Sequence, residues 1–459
     1  MTLKKYFGDR AFYKMTLTVA LPIMAQNLIT NFVSMLDNLM VGALGTEQIS
    51  GVAIANQLSL IFYLAVFGAM SGAGIFTAQY YGRKDDEGIR YTVRYKLIAG
   101  LVIAAAAILI FLVFDEPLIR LFLHASDEGG DLEATLAFGR SYLRLCLWGL
   151  VPFALTQVFS GTLRETGNTF SPMLFSLLAV ATNGVFNYLL IFGKLGFAQL
   201  GTDGAAIATT ISRFTELGAT LLYIIVKRKK ISYLHGLLRS FRIPGALVRN
   251  FTLKTLPLMG NEILWSGGMS MLSVAFSLNG LTVVAAYSIF TTVFQLFSIA
   301  TMSMGISIGI IAGKILGAGD HWKAVDTVRK LITFSMLLSA GVGILLFTLG
   351  GLIPQLYKTS DASKALATFF IRAEAFIVPL SAFANASYFT VRSGGKTLIT
   401  FLFDSGMLWL VSVPAAFGLF YAFRPDIHIL FPVVQGLEII KDIVGYILIK
   451  KRIWVKTII

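Results

Sequence analysis

The sequence predicts an all-α polytopic membrane protein, with twelve transmembrane helices in two six-helix pseudo-symmetric lobes around a central cavity. Three observations carry this expectation. The 459 residues are 56% hydrophobic and only 14% charged, where a soluble domain has roughly 45–50% and about 25%. The apolar residues form continuous runs, unlike the alternation of a membrane barrel. The first half of the chain also matches the second at a nearly constant offset. A mean hydropathy of +0.76 agrees that lipid is the solvent that matters.

A helix needs roughly 20 mostly apolar residues to cross the hydrocarbon. In the first half, the windows that qualify are 15–42, 49–78, 95–114, 134–162, 172–193 and 203–226. In the second half they are 253–279, 282–312, 331–353, 365–391, 398–421 and 430–449. The opening "MTLKKYFGDRAFYK" has no short apolar stretch with a small-residue cleavage site, so the first window reads as a span rather than a signal peptide.

Alternate connections differ sharply in charge. One side collects Lys4, Lys5, Arg10 and Lys14, the segment from Arg83 to Lys96, Arg164, and the loop from Lys227 to Lys254. It also takes Lys314 to Lys330, Arg392 with Lys396, and Lys450 to Lys456. The other side holds the acidic "HASDEGGDLE". The positive-inside rule then places both termini in the cytoplasm of a multi-pass plasma-membrane protein. The net charge of +14 reads as an orientation signal with some contact to anionic membrane lipids, and no nucleic acid partner is expected. The single cysteine, Cys146, excludes an intrachain disulfide.

Shifting the first half by 235 residues lays Leu21-Pro22 on Leu256-Pro257, Gly45 on Gly280 and Gly82 on Gly317. The same shift lays Thr92-Val93-Arg94 on Thr327-Val328-Arg329. At an offset of 228, "LRETGNT" (Leu163 to Thr169) falls on "VRSGGKT" (Val391 to Thr397). The expected organisation is an N-terminal lobe over 1–226, a basic inter-lobe loop over 227–252 and a C-terminal lobe over 253–459. Parallel halves related by an axis along the membrane normal are a transporter architecture.

Asp37, in "SMLDNLMVG", has no basic residue nearer along the chain than Lys14 or Arg83. It lies about 33 Å from the start of its span at ~1.5 Å per residue, in the outer half. A carboxylate at mid-membrane costs roughly 2.5–3.5 kcal/mol, so such groups face the bundle interior or water. An acid in that setting without a cation beside it is suited to exchanging a proton or a metal cation. The plainer alternative is a helix cap at the interface. On the fifth span Asn183 and Asn187 are four apart and share one helix face. Their carbonyl oxygens are hard ligands, although interhelical glue is the competing role. Thr209 on the sixth span offers another oxygen.

Glu262 follows Pro257 on the seventh span, and the repeat sets it opposite Asn27. It is a candidate substrate-cation or proton group. Pro22 frees the carbonyl of Thr18, which makes it a candidate hinge or a static kink. Gln57, Tyr63, Trp265, Tyr287 and Gln295 are candidate linings of an apolar, aromatic cavity for lipophilic cations. Arg213 with Glu216, Arg372 with Glu374, the set Glu438, Lys441 and Asp442, and Asp404 at the start of its span read as structural charges.

Twelve spans in two similar halves, "ALPIMAQNLITNFVSMLDNLMVG", "NGVFNYLLIFG…GTDGAAIAT" and the "LRETGN"/"VRSGG" turns resemble the multidrug and toxic compound extrusion (MATE) family over essentially the whole chain. The resemblance implies a secondary active antiporter, expected as a monomer. It would export lipophilic cationic drugs or toxic compounds in exchange for inward H⁺ or Na⁺, by alternating access of the two lobes. It also implies a cation site made of Asp37, Asn183, Asn187 and Thr209. Some relatives carry Asp at the second fifth-span position, so Asn187 leaves one formal negative charge in the set. Some members pair a glutamate at the Glu262 position with an aspartate on the tenth span, where the alignment here gives Ser381.

"GISIG" (Gly305 to Gly309) fits G-x-S-x-G, but it lies in an apolar helix and not at a strand–turn–helix junction. His124, His235, His321 and His428 fall in loops or at span edges. Walker A, H-E-x-x-H and Cys/His metal patterns are missing from the sequence. The expectation is therefore a non-enzyme with no cofactor and no metal beyond Na⁺, driven by an ion gradient. The alternative is a lipid-linked saccharide flippase of similar build. Its cavity would need cationic groups for a phosphate, whereas Asp37 and Glu262 are acids.

Overall fold

Helices begin and end in this chain where local chemistry dictates. Asp131, Asp320 and Ser360 each accept a hydrogen bond from a first-turn N–H and start a helix. Gly193, at φ +63°, stops another in the left-handed conformation that costs glycine nothing. The computed structural model describes residues 5–123, 131–237 and 240–459. Lys4, His124 and the acidic residues up to 130 lie outside the described residues.

Among the described residues the chain is helical throughout, with no strand. The helices are α1 Arg10–Gly42, α2 Thr46–Arg83, α3 Asp86–Arg120, α4 Leu132–Glu165, α5 Phe170–Phe192 and α6 Gly201–Lys227. They continue with α7 Gly245–Ser277, α8 Leu281–Gly317, α9 His321–Leu349 and α10 Asp361–Ser393. The eleventh segment, α11, runs Thr397–Phe423. The twelfth is broken at Leu437 into α12 Ile427–Gly436 and α13 Glu438–Lys450. This is the predicted all-α polytopic fold. Nine of the helices in the described residues are each long and apolar enough to cross a membrane. The segments outside that set are α6, with Arg213 and Glu216, α7, with Asn261 and Glu262, and the broken twelfth.

Pro22 and Pro257 occupy equivalent places, and α1 and α7 both continue through them. In α11 the turns Leu402–Gly406 and Leu408–Ser412 are π-helical. A π turn widens the helix by a residue and re-aims its side chains, a device frequent at functional sites. Because α11 starts at Thr397, Asp404 lies inside the helix, not at the N-terminal turn that the sequence had led us to expect.

The chain forms two compact units. One comprises Ala25–Thr77 and Asp86–Thr255. The other comprises Met1–Met24, Ala78–Asp85 and Leu256–Ile459. The division falls inside α1 and α7, two residues after Pro22 and two before Pro257, and inside α2.

In the first unit Gly72 lies so close to the Thr255 backbone that a Cβ there would reach within 2.5 Å of it. In the second unit, a Cβ on Gly317 would overlap the Gln79 carbonyl, so α8 and the end of α2 meet backbone to backbone. Small residues at i, i+4 spacing allow such approaches between helices in lipid. The second unit also holds an aromatic core of Phe276, Tyr287, Phe290, Phe370 and Phe431. Its C-terminal tail is anchored by Trp454, 1% exposed. Gln79 donates to the Ser393 and Lys456 carbonyls at 3.0 and 3.2 Å and accepts from Ile458 N at 2.8 Å.

Candidate functional site

In the first unit, α1, α5 and α6 bring Asp37, Asn183, Asn187 and Thr209 together. The two asparagines are buried, at 5% and 1% exposure, one turn apart on the face of α5 that meets α6. Asn187 Nδ2 donates to Asp37 Oδ1. The Asn183 amide, turned with its nitrogen toward the carboxylate, donates to both Asp37 oxygens at 2.9 and 3.0 Å. Its other amide atom lies 3.4 Å from Thr209 Oγ1. Asn187 Oδ1 is buried with no hydrogen-bond partner. An unmatched buried oxygen costs about 1–3 kcal/mol, which a bound cation would relieve.

The cluster therefore offers one carboxylate, two amide oxygens and a hydroxyl, which are hard oxygen donors suited to a small cation or a proton. Groups of three or more His, Cys, Asp or Glu that could hold a transition metal do not occur among the described residues.

Below this cluster runs a second polar chain that sequence reading missed. Gln26 donates to Ser176 Oγ at 2.6 Å, and Ser176 donates to Glu216 Oε1 at 2.6 Å. Arg213, one turn from Thr209, pairs with Glu216 at 3.7 Å as its i,i+3 spacing foretold. The guanidinium also sits over Phe153 at 4.9 Å and Tyr63 at 5.7 Å. Arg213 thus stays engaged by a carboxylate and two rings. Its charge is the fixed cation nearest Thr209 along α6.

In the second unit α7, α10, α11 and α13 form a corresponding arrangement. Asn261 donates to Asp404 Oδ2 at 3.0 Å and to Tyr388 OH at 3.3 Å. The Ser405 hydroxyl and amide donate to Asn261 Oδ1 at 2.9 and 3.3 Å. Lys441 bridges to Asp404 at 2.7 Å and stands 3.8 Å from Glu438. Lys441 is thus paired chiefly with another helix rather than with its own neighbours. Both Asp442 carboxylate oxygens have no partner. Glu262 accepts from Tyr388 OH at 3.4 Å. Its partner on α10 therefore lies seven residues, or about two turns, beyond the aligned Ser381. Glu374 accepts from Gln435 at 2.9 Å.

The remaining sequence candidates are dispersed. Asn27 is half-buried one residue from Gln26, and Gln57 and Gln295 are exposed on α2 and α8. Tyr63 is half-buried under Arg213. Trp265 is 40% exposed, while Tyr287 is 7% exposed within the aromatic core. Ser307 donates to the Ser303 carbonyl at 2.7 Å within α8, so "GISIG" is ordinary helix and no nucleophile elbow.

Comparison with known proteins gives a consistent picture. The MatE family model matches residues 22–189 and 257–417, once in each half, starting at Pro22 and at Pro257. A probable multidrug resistance protein NorM of Thermotoga maritima is 26% identical over 413 residues, covering 88% of this chain and 85% of that one. A probable multidrug resistance protein NorM of Halalkalibacterium halodurans is 22% identical, covering 88% and 86%. A solved structure of the outward-facing conformation of a multidrug resistance MATE family transporter of the MOP superfamily superposes with a TM-score of 0.86 at 20% identity, over 98% and 97% of the two chains.

Proposed function

We propose, from the premise that this chain belongs to the MatE family of transporters, that it is a multidrug exporter driven by an ion gradient and coupled at Asp37. The reading rests on one observation above the others. Asp37 meets only neutral oxygens and amides from α5 and α6, and among the described residues it has no ion-pair partner. A carboxylate in a membrane-spanning helix is costly, and such residues usually mark ion or substrate pathways. The named relatives are multidrug resistance proteins, and small lipophilic cations suit a pathway whose unpaired membrane-depth acids include Asp37 and Glu262.

The mechanism follows from linkage. Ion and drug bind different conformations with different affinity, so each drives the other's release. Inward-moving H⁺ or Na⁺ occupies Asp37, Asn183, Asn187 and Thr209. The helices around Asp37 repack, with Pro22, just before the unit boundary in α1, as the bend, and alternating access of the two lobes releases the drug outside. In this reading the protein acts as a monomer in the plasma membrane, and the basic connections favour both termini in the cytoplasm.

The test is efflux of a fluorescent cation from proteoliposomes, with Na⁺ and pH gradients imposed separately. Asp37→Asn keeps the shape of the side chain and removes its charge, so gradient-driven efflux is lost while the melting temperature is kept. Normal efflux in that variant would sink the proposal.

A further inference from the structure

A basic cleft lies in the first unit, well away from Asp37, where the start of α3 meets the loop that follows α6. It encloses about 430 Å³ and is lined by Glu87, Arg90, Arg94, His235, Ser240 and Arg242, among others. Arg94 is 7% exposed. Its Nε, Nη2 and Nη1 donate to the carbonyls of Leu237, Gly236 and Arg242 at 2.9, 3.1 and 3.3 Å. Those carbonyls fix the loop over α3 but bring no negative charge. Arg90 Nη1 donates to the His235 carbonyl at 3.2 Å. Among the described residues, none of the three arginines has a carboxylate within 4.0 Å. Glu87, the one acid in the cleft, instead accepts from Tyr91 OH at 2.5 Å.

Three arginines, one of them buried, thus line a cleft whose single acid, Glu87, forms no ion pair with any of them. Buried charges are ordinarily paired. An anion entering the cleft would supply such a partner. Guanidinium forks match the tetrahedral oxygens of a phosphoryl group by paired hydrogen bonds. The volume is that of a small-molecule site, large enough for more than a bare phosphate. The position favours a lipid source. Arg94 immediately precedes the apolar run 95–114 of α3 and Arg90 stands about one turn before Arg94, at the level where headgroups lie and basic side chains attract anionic lipid.

We propose that this cleft binds the phosphoryl headgroup of an anionic membrane lipid and so ties the loop after α6 to the membrane surface. The proposal does not depend on the coupling role of Asp37. The test uses the full-length purified protein in phosphatidylcholine nanodiscs with and without phosphatidylglycerol. Retained lipid is counted by native mass spectrometry, and the thermal shift caused by short-chain phosphatidylglycerol is measured in detergent. Arg90→Gln with Arg242→Gln removes two charges from groups that are half-buried and exposed, leaving Arg94 to hold the loop. Each arginine near a membrane surface is worth roughly a factor of five, so phosphatidylglycerol should bind about thirtyfold more weakly to the double variant. Arg90→Lys with Arg242→Lys should recover much of it. Equal phosphatidylglycerol binding by the wild type and the double Gln variant would overturn the proposal. So would protection by inorganic phosphate matching that by phosphatidylglycerol, because the site would then serve a soluble anion.

Discussion

Removing the Asn187 amide should report which ion is coupled, because its two ends act in opposite senses. In Asn187→Ala, Asp37 loses one charge-assisted donor and keeps Asn183. A hydrogen bond to a charged group contributes about 1.5–3 kcal/mol. That donor stabilises the bare carboxylate against a proton, so its loss lets protons bind more readily. With 1.4 kcal/mol per tenfold, half-saturation would move to a proton concentration about 10- to 150-fold lower. The same substitution deletes Asn187 Oδ1, the buried oxygen without a partner. If the coupling ion is Na⁺, a ligand is lost together with the about 1–3 kcal/mol of relief that binding gave it. Half-saturation would then move to a Na⁺ concentration about 5- to 150-fold higher. The assay is drug efflux from proteoliposomes, titrating Na⁺ at fixed pH and then pH without Na⁺. If transport persists and both half-saturation points stay within about twofold of wild type, or about 0.4 kcal/mol, Asn187 is no part of the ion site and the reasoning fails.

Two further predictions concern stability. Lys441→Met strands Asp404 beside Asn261 without its 2.7 Å ammonium partner. Leaving a buried charge unpaired costs about 3–5 kcal/mol, which a detergent melting curve will show as a marked drop, and adding Asp404→Asn should recover a large part of it. An unchanged melting temperature in the single variant would mean that the pair carries no weight. Trp454→Ala empties a site that is 1% exposed and frees the tail held by Gln79. A loss of about 3–5 kcal/mol is expected, with protease cleavage appearing first in the tail, and a tail that stays protected would contradict the anchoring role.

The spans were legible because lipid demands long apolar runs that no folded-state context can disguise. The partners of Asp37 were legible because two asparagines four apart on an otherwise apolar helix mark one face. What escaped was set by geometry that sequence spacing does not encode. Asp404 read as a helix-start residue, yet it lies in a π turn of α11 and, with Ser405, meets Asn261. Ser381 was aligned with the partner of a glutamate at the Glu262 position, and the α10 residue that Glu262 contacts here is Tyr388. Apolar helices align almost equally well after a slip of two turns. Gln26, Ser176 and Glu216 are each unremarkable alone, and only contact between three helices makes them a chain.

The internal repeat held a signal that would have found that chain. The 235-residue offset lays Gln26 on Asn261, and the 228-residue offset lays Ser176 on Asp404, next to Ser405. Each amide reaches from the first or seventh span to the fifth or eleventh. Beyond it stands a charged residue of the sixth or twelfth, Glu216 in one unit and Lys441 in the other. A polar link that appears in both halves answers a need both share, namely holding three helices together where lipid offers no hydrophobic drive. The Asp37 cluster is different. The same offsets lay Asp37 on Leu272, Asn183 on Val411 and Asn187 on Ala415, so the second half carries apolar residues at the aligned positions. Packing therefore does not require a carboxylate there. Keeping one at a cost of roughly 2.5–3.5 kcal/mol, in one half only, fits the proposed ion-coupling role better than a purely structural one.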